Sequence, residues 1–394
     1  MTFTDIVFLS AARTPIGSFQ GGLSTVPAPR LGAAAIAGAI ARAGIDPSEV
    51  SDVLMGTVLQ AGQGQAPARQ AAIHAGIPPS ARTVTVHKVC GSGMQSVLQA
   101  AQTLQLGMAT TVVAGGMENM SRAPHLLPGA RAGYRLGHQQ IIDSLVCDGL
   151  WDPYNDLHMG NCAEQCASKY GFTRQQQDEY AVASFRRASA AQQAGAFAGE
   201  IVPVEVPASR GPVRVVDADE GPSKVDYDKV AALRPAFDPG GTITAANAST
   251  INDGAAALVV TTAEHARGAG RQPIARLVST GAHAQDPVWF TTAPVEAARR
   301  AMEAAGWTTA DVDLWEVNEA FAVVPMAFMR ELAIGHEVMN VDGGAIALGH
   351  PIGCSGARIL VTLVSALRRR GLRRGVAAIC IGGGEALAAC VELI

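Results

Sequence analysis

One pattern occurs twice in the chain, and it restricts the fold more than any other feature. Cys90-Gly91-Ser92-Gly93 opens a helix running to about Leu106, the apolar strand 111–114 follows, and Gly115-Gly116-Met117-Glu118 closes the unit. Near the C-terminus Gly353-Cys354-Ser355-Gly356 opens a helix to about Arg369, followed by the strand 376–381 and by Gly382-Gly383-Gly384-Glu385. A repeated unit of this kind predicts two similar halves, packed so that both glycine clusters and both helix starts surround a shared cleft. The rest of the chain keeps the alternation, with apolar strands at 6–11, 53–59, 83–86, 257–262 and 313–317 and an alanine-rich helix at 31–43 ended by Gly44. Short, continuously apolar strands between helices predict a layered α/β body whose strands are buried on both faces.

Residues 121–247 break that rhythm. They are rich in prolines and turn residues, and they carry one polar helix at 173–194. The segment 200–206 alternates enough to be an exposed strand, and Pro203 and Pro207 keep it at a sheet edge. The predicted organisation is therefore one half from 1–121 and 248–270, an inserted loop domain from 122–247, and a second half from 271–394.

Composition excludes several function classes. Of 394 residues, 48% are hydrophobic and 16% charged, which is incompatible with a disordered or solvated linker chain. A net charge of −4 provides no overall basic field for nucleic acid or an anionic membrane, so any anionic ligand must be met locally. Seven cysteines, an odd number, and Asp5 where a basic signal region would stand predict a reducing, cytoplasmic setting without a disulfide framework. No apolar run approaches the roughly 18 to 20 residues that span a bilayer, so no membrane role is expected.

Four places carry candidate chemistry. Cys90 lies between a predicted strand and a helix start, where the positive helix end lowers a thiol pKa from about 8.5 and favours a thiolate; Gly91 and Gly93 permit a sharp turn and close approach of a ligand. The plainer alternative is a buried cysteine in a tight joint. His350 sits in NVDGGAIALGHPIGCSG, between glycines and Pro351, and is the best base candidate among nine histidines. Cys380 ends an apolar strand directly before Gly382-Gly383-Gly384, whose unobstructed N–H groups can form an oxyanion hole. Asn318-Glu319 follows the strand 313–317, where such residues are commonly caps. Cys162 and Cys166 stand one helical turn apart near His158, but no second pair follows at zinc spacing, and no metal is expected. No Gly-x-Gly-x-x-Gly opens a helix after a strand, which disfavours nucleotide-dependent chemistry.

Read jointly, VCGSGMQS around Cys90, VAGGMENMSRAPH from Val113, NEAFA from Asn318, GGAIALGHPIGCSGAR from Gly343 and CIGGG from Cys380 resemble the thiolases over essentially the whole chain. GTVLQAGQGQAPARQAA from Gly56 and NASTINDGAAA from Asn247 strengthen the likeness. The resemblance implies a thiolase fold, two similar α/β halves packed in layers with an inserted loop domain. It implies acyl-CoA substrates, with coenzyme A as substrate and product rather than a tightly bound cofactor, and a homotetramer or homodimer. The implied activity is reversible thiolysis of 3-ketoacyl-CoA, or the reverse Claisen condensation, through an acyl-cysteine and with short chains favoured. A long-chain thiolase and a cysteine-dependent thioester hydrolase are the alternatives.

By the same resemblance Cys90 is the acylated nucleophile, His350 its base, and Cys380 the acid/base at the substrate α-carbon. Asn318 is the water holder that acts with His350 on the enolate, and the N–H groups of Cys90 and Gly382 are the second oxyanion hole. His158, Met159, Ala245, Ser249 and Phe321 fall on the pantetheine path, with Leu150 and Phe237 as apolar neighbours and Phe290 in the acyl pocket. Three positions depart from the family pattern: His87 before Lys88, Glu385 after the glycines, and Ser223-Lys224 where many relatives carry an arginine.

Overall fold

A computed structural model describes residues 1–3, 5–207 and 212–394. Its frame consists of β1 (Ile6–Arg13), β2 (Asp52–Gly56), β3 (Arg82–Val86), β4 (Thr111–Asn119), β5 (Asn252–Thr262), β6 (Ala275–Ala284), β7 (Leu314–Val317), β8 (Arg374–Ile381) and β9 (Glu385–Leu393). Side by side these run β7-β8-β9-β6-β1-β5-β4-β2-β3. Outward from β1 the neighbours are antiparallel β5, antiparallel β4 and parallel β2. Outward from β6 they are antiparallel β9, antiparallel β8 and parallel β7, which is the same order repeated. The two runs meet where Val7 and Phe8 pair with Arg276 and Ala275.

Period-two side-chain alternation sorts each strand between two cores. In β5, Ala256, Leu258 and Val260 join a central apolar cluster, while Ala255, Ala257 and Val259 join an outer one. In β8, Ala377, Ile379 and Ile381 face the centre, and Val376, Ala378 and Cys380 face the outer cluster of the second half. That register places Cys380 among Met159, Phe290 and Phe321. Both faces are buried, hence the continuous apolar runs.

Four helices cover or fill these faces, α1 (Ala28–Ala43), α2 (Ser92–Gln105), α4 (Ala293–Ala305) and α5 (Ile352–Arg370), while α3 (Arg174–Gln193) packs apart from the sheet against Ile346 and Leu348. The outer faces take α1 and α4, whereas α2 and α5 pack together in the central cluster. A Cβ on Gly356 would lie 2.5 Å from the Met94 nitrogen, and one on Gly93 would lie 2.8 Å from the Ala357 nitrogen. The Ser-Gly pairs therefore let the two helix starts abut. Gly91 and Gly93 admit the other half of the protein, since a Cβ on Gly91 would strike the Ile381 side chain at 2.3 Å, and this replaces the expectation that they admit a ligand.

The glycine clusters are not equivalent. Gly115 and Gly116 lie inside β4, which runs on to Asn119, because added Cβ atoms would sit 2.0 Å from the Ala256 and Gly353 carbonyl oxygens. Only Gly382-Gly383-Gly384 forms a turn, with φ of 88° and 81° at its last two residues. The strand read at 53–59 ends at Gly56. The segment 200–206 is a strand only at Val204–Val206, paired with Arg214–Val216, and both of its valines are buried rather than exposed.

Glu200 just before it anchors this region to the body. Arg13, wholly buried, donates from Nε to Glu200 at 2.6 Å and from both terminal nitrogens to Asp219 at 2.7 and 2.8 Å. Among the described residues no helix is long and apolar enough to cross a membrane.

Candidate active site

Cys90 is set by an unusually constrained turn. Val89, a β-branched residue, adopts φ of 43°, a conformation such side chains reach only when their surroundings over-determine it. The Gly91 and Ser92 N–H groups donate to the Lys88 and Val89 carbonyls at 3.0 and 3.1 Å. The Ser92 hydroxyl accepts from the Lys88 N–H at 2.8 Å and donates to the Val89 carbonyl at 2.6 Å. Cys90 is thereby presented, half-buried, at the wall of a cavity of about 200 Å³ that His350 and Gly382 also line.

The electrostatics differ from the sequence expectation. Burial pushes the Cys90 thiol up to about 11, outweighing the Gly382 and Cys90 N–H groups that bear on its sulfur and pull the other way. The expected resting thiolate is thus corrected: the helix start is insufficient against an apolar surround. Cys380 is pushed well up too, first by burial and then by the nearness of Cys90. Both sulfurs rest as thiols.

His350 supplies the missing base. Its backbone N–H donates to Asn252 Oδ1 at 3.0 Å, and the residue before it is glycine for two reasons: Gly349 has φ of 108°, and a Cβ there would strike the Asn252 side chain at 2.3 Å. Ser355 Oγ stands 2.5 Å from His350 Nδ1 and 3.0 Å from the Pro351 carbonyl oxygen. With the hydroxyl proton assigned to the carbonyl, Nδ1 is the donor to Oγ. That leaves Nε2 bare, 3.5 Å from the Asn318 side-chain nitrogen. Burial, helped by the Arg358 guanidinium, holds His350 down at about 3, so the imidazole is neutral and able to accept a proton. Asn318 keeps its buried Oδ1 without a protein partner, an open acceptor beside the base.

His158 Nδ1 accepts the Gly160 N–H at 3.0 Å, which leaves the Nε2–H to the cavity, and its ring stacks on Phe237 at 4.7 Å. Met159, Ser249, Phe321, Leu150, Phe237 and Phe290 also line the cavity. Asn318 and Cys380 lie buried behind the wall, whereas Ala245 is exposed and outside it. Glu385 forms an ion pair with Lys88, so its charge is met from the nucleophile turn. His87 is exposed, and Lys224 pairs with Glu220 at 3.5 Å.

The sequence alone does not single out Ser355 and Asn252 as partners of His350, or Met120, Gly149 and Ile352 at the cavity wall. Ser355 was visible in the repeat but read only as a helix start.

The thiolase N-terminal domain family matches residues 6–264 and the thiolase C-terminal domain family matches 271–393. Acetyl-CoA acetyltransferase 2 of Arabidopsis thaliana is 53% identical over 99% of this chain and 97% of its own length. Acetyl-CoA acetyltransferase of Cupriavidus necator is 50% identical over 99% of both chains. Among solved structures, the Bacillus anthracis acetyl-CoA acetyltransferase superposes with a TM-score of 0.97 at 40% identity, covering 100% of both chains. The Acat5 thiolase of Ascaris suum, in complex with coenzyme A, gives 0.94 at 44% identity, covering 99% of this chain and 100% of that one. With both domain families spanning nearly every residue and the fold matched end to end, the chain belongs to the thiolase family.

Proposed function

We propose that this protein is an acetyl-CoA C-acetyltransferase, cleaving short 3-ketoacyl-CoAs with coenzyme A and running the Claisen condensation in reverse. The observation that carries the reading is two neighbouring thiols, one at the cavity wall and one behind it, with a neutral imidazole at the same cavity. The names of relatives at about half identity over the full chain agree with it.

In thiolysis the Cys90 proton passes to His350 Nε2 as the sulfur attacks C3 of the substrate. The negative oxygen that forms is met by the Cys90 and Gly382 N–H groups, each such donor commonly being worth about 3 to 4 kcal/mol. The C2–C3 bond breaks, its electron pair at C2 takes the Cys380 proton, and acetyl-CoA leaves. Asn318 and His350 stabilise the enolate oxygen. Coenzyme A then gives its thiol proton to the Cys380 thiolate and attacks the acyl-cysteine, and His350 returns its proton to Cys90. One cysteine cannot be nucleophile and α-carbon acid at once, which is why the site needs two.

A resting pair of thiols and a neutral imidazole avoids holding separated charges in an apolar pocket before substrate arrives. Charge develops only while oxyanion donors are there to receive it. His158, Met159, Ser249, Phe321 and Ala245 follow the coenzyme's pantetheine arm in this reading, with Phe237 and Leu150 beside it. Phe290, buried and edge-on to Phe321 at 6.4 Å, closes the acyl end. The division into halves at 1–121 with 248–270 and at 271–394, around a loop domain at 122–247, belongs to the same reading. So does assembly of copies, supported by exposed Leu127, Leu136, Ile141 and Ile142.

The test is a thiolysis series from four-carbon to long-chain 3-ketoacyl-CoAs, with mass spectrometry of the enzyme. The reading expects efficiency to fall with length and an acyl group on Cys90. Equal or greater efficiency with the long chain refutes the short-chain assignment, and free acid released without coenzyme A refutes the transferase.

A further inference from the structure

We infer that Glu118 is a positioning residue for the proposed base: its carboxylate fixes the segment that carries His350 against the wall beside Cys90, across the seam between the two halves. The inference rests on the proposed roles of Cys90 and His350 and adds a residue that acts through them. Glu118 closes the first repeated unit, and the acyl-transfer steps give it no part.

The side chain is wholly buried, one residue before the end of β4. Its Oε1 accepts from the Thr57 hydroxyl at 3.1 Å and from the Leu59 N–H at 3.3 Å. Its Oε2 accepts from the Val58 N–H at 2.9 Å and from the Gly353 N–H at 3.0 Å. Four uncharged donors shared between two oxygens suit a carboxylate, whereas an amide has one oxygen to offer them. Position 353 has to be glycine for this approach, since a Cβ there would lie 2.6 Å from Glu118 Oε2 and 2.7 Å from the Thr57 Cα.

The donors come from both sides of the site. Val58 and Leu59 belong, with Ile352, to the apolar cluster against which Cys90 packs. Gly353 follows His350 by three residues, in the first turn of α5, where the Cys354 N–H and the Ser355 hydroxyl both donate to the Pro351 carbonyl, at 2.9 and 3.0 Å. Through Ser355 the same turn holds the His350 ring. Binding the Val58 and Gly353 N–H groups to one oxygen therefore sets where the imidazole stands relative to the nucleophile. The Glu118 charge also reaches Cys90, where it adds to burial in pushing the thiol up. Reach and charge of this one side chain thus act on different groups, and substitution separates them.

Glu118→Asp keeps the charge and withdraws the carboxylate by one methylene. Glu118→Gln keeps the length, removes the charge and leaves one oxygen for two pairs of donors. Both are compared with the wild type above neutral pH, where Glu118 is ionised although burial raises it. Two rates are read by mass spectrometry: acetylation of Cys90 by acetyl-CoA, which needs His350, and its alkylation by iodoacetamide, which needs only the thiolate. A catalytic group misplaced by about 1 Å commonly costs about a hundredfold, so acetylation in Glu118→Asp should slow by about 10- to 100-fold while alkylation keeps its wild-type rate. In Glu118→Gln acetylation should slow while alkylation quickens, opposite changes that a damaged fold does not produce. Acetylation at the wild-type rate in both variants, or alkylation that falls alongside acetylation in either, overturns the inference and leaves the transferase reading intact. A wild-type enzyme that never acetylates Cys90 overturns the transferase reading, and this inference with it.

Discussion

Ser355→Ala removes one oxygen that never touches substrate, yet it should slow the reaction. In the native site Ser355 Oγ accepts the His350 Nδ1–H and so fixes the tautomer with a bare Nε2. Alanine leaves a buried N–H without its acceptor, because Ser355 is wholly buried. The penalty for such a donor is about 1 to 3 kcal/mol. It falls on the productive tautomer alone, since the other tautomer carries its proton on Nε2, toward Asn318. At about 1.4 kcal/mol per factor of ten, kcat should drop by roughly 5- to 150-fold. KM for coenzyme A should stay within about twofold, because Ser355 lies outside the cavity wall. Steady-state thiolysis of acetoacetyl-CoA reads both quantities, and urea unfolding checks that the fold survives. A kcat within twofold of the wild type would falsify the tautomer argument.

Three further outcomes follow from charge and burial. Because the Cys90 thiol is pushed up to about 11, its alkylation by iodoacetamide should climb about tenfold per pH unit from neutrality upward, and a plateau below about pH 8.5 would mean a resting thiolate. His350, held down at about 3 against 6.5 when exposed, should stay neutral as pH falls through 6.5 and gain its proton only near 3. Its contribution to stability is then full above 6.5 and lost toward 3, and an acid limb of kcat centred on 6.5 would contradict this. Asp219→Ala should destabilise the fold by about 3 to 5 kcal/mol by leaving Arg13 buried and half-paired, measured as a lowered urea midpoint; a change below about 1 kcal/mol would show that Arg13 finds another partner.

The parts of the fold legible in the sequence were those written in local pattern. Strands such as 376–381 showed as apolar runs because both faces are buried, and the order of helix, strand and glycines around Cys90 and Cys380 exposed the repeat. Strand β6 is hidden in the sequence because Arg276, Ser279, Thr280 and His283 interrupt its apolar residues, and the Ser279 hydroxyl donates to the Ala301 carbonyl, far along the chain. Gly115 and Gly116 fall outside the strand read at 111–114, since nothing local tells that Ala256 and Gly353 approach from distant segments. The same limit applied in the site. Cys90, His350 and Cys380 stood out by residue type and neighbours, but the charge state of Cys90 depends on an apolar surround assembled from both halves. The hydrogen bond from His350 to Ser355 needed only a five-residue separation, and it stayed hidden because a serine at a helix start has an ordinary explanation.

The division of labour between the two sulfurs is tested most directly in Cys380→Ser. The variant is mixed with acetyl-CoA in deuterated water, and two things are read together by mass spectrometry: acetyl on the Cys90 peptide, and deuterium in the methyl group of recovered acetyl-CoA. The account predicts that Cys90 becomes acetylated while the methyl group takes up no deuterium. Deuterium uptake at the wild-type rate would contradict it, because the α-proton would then be moving without the second thiol.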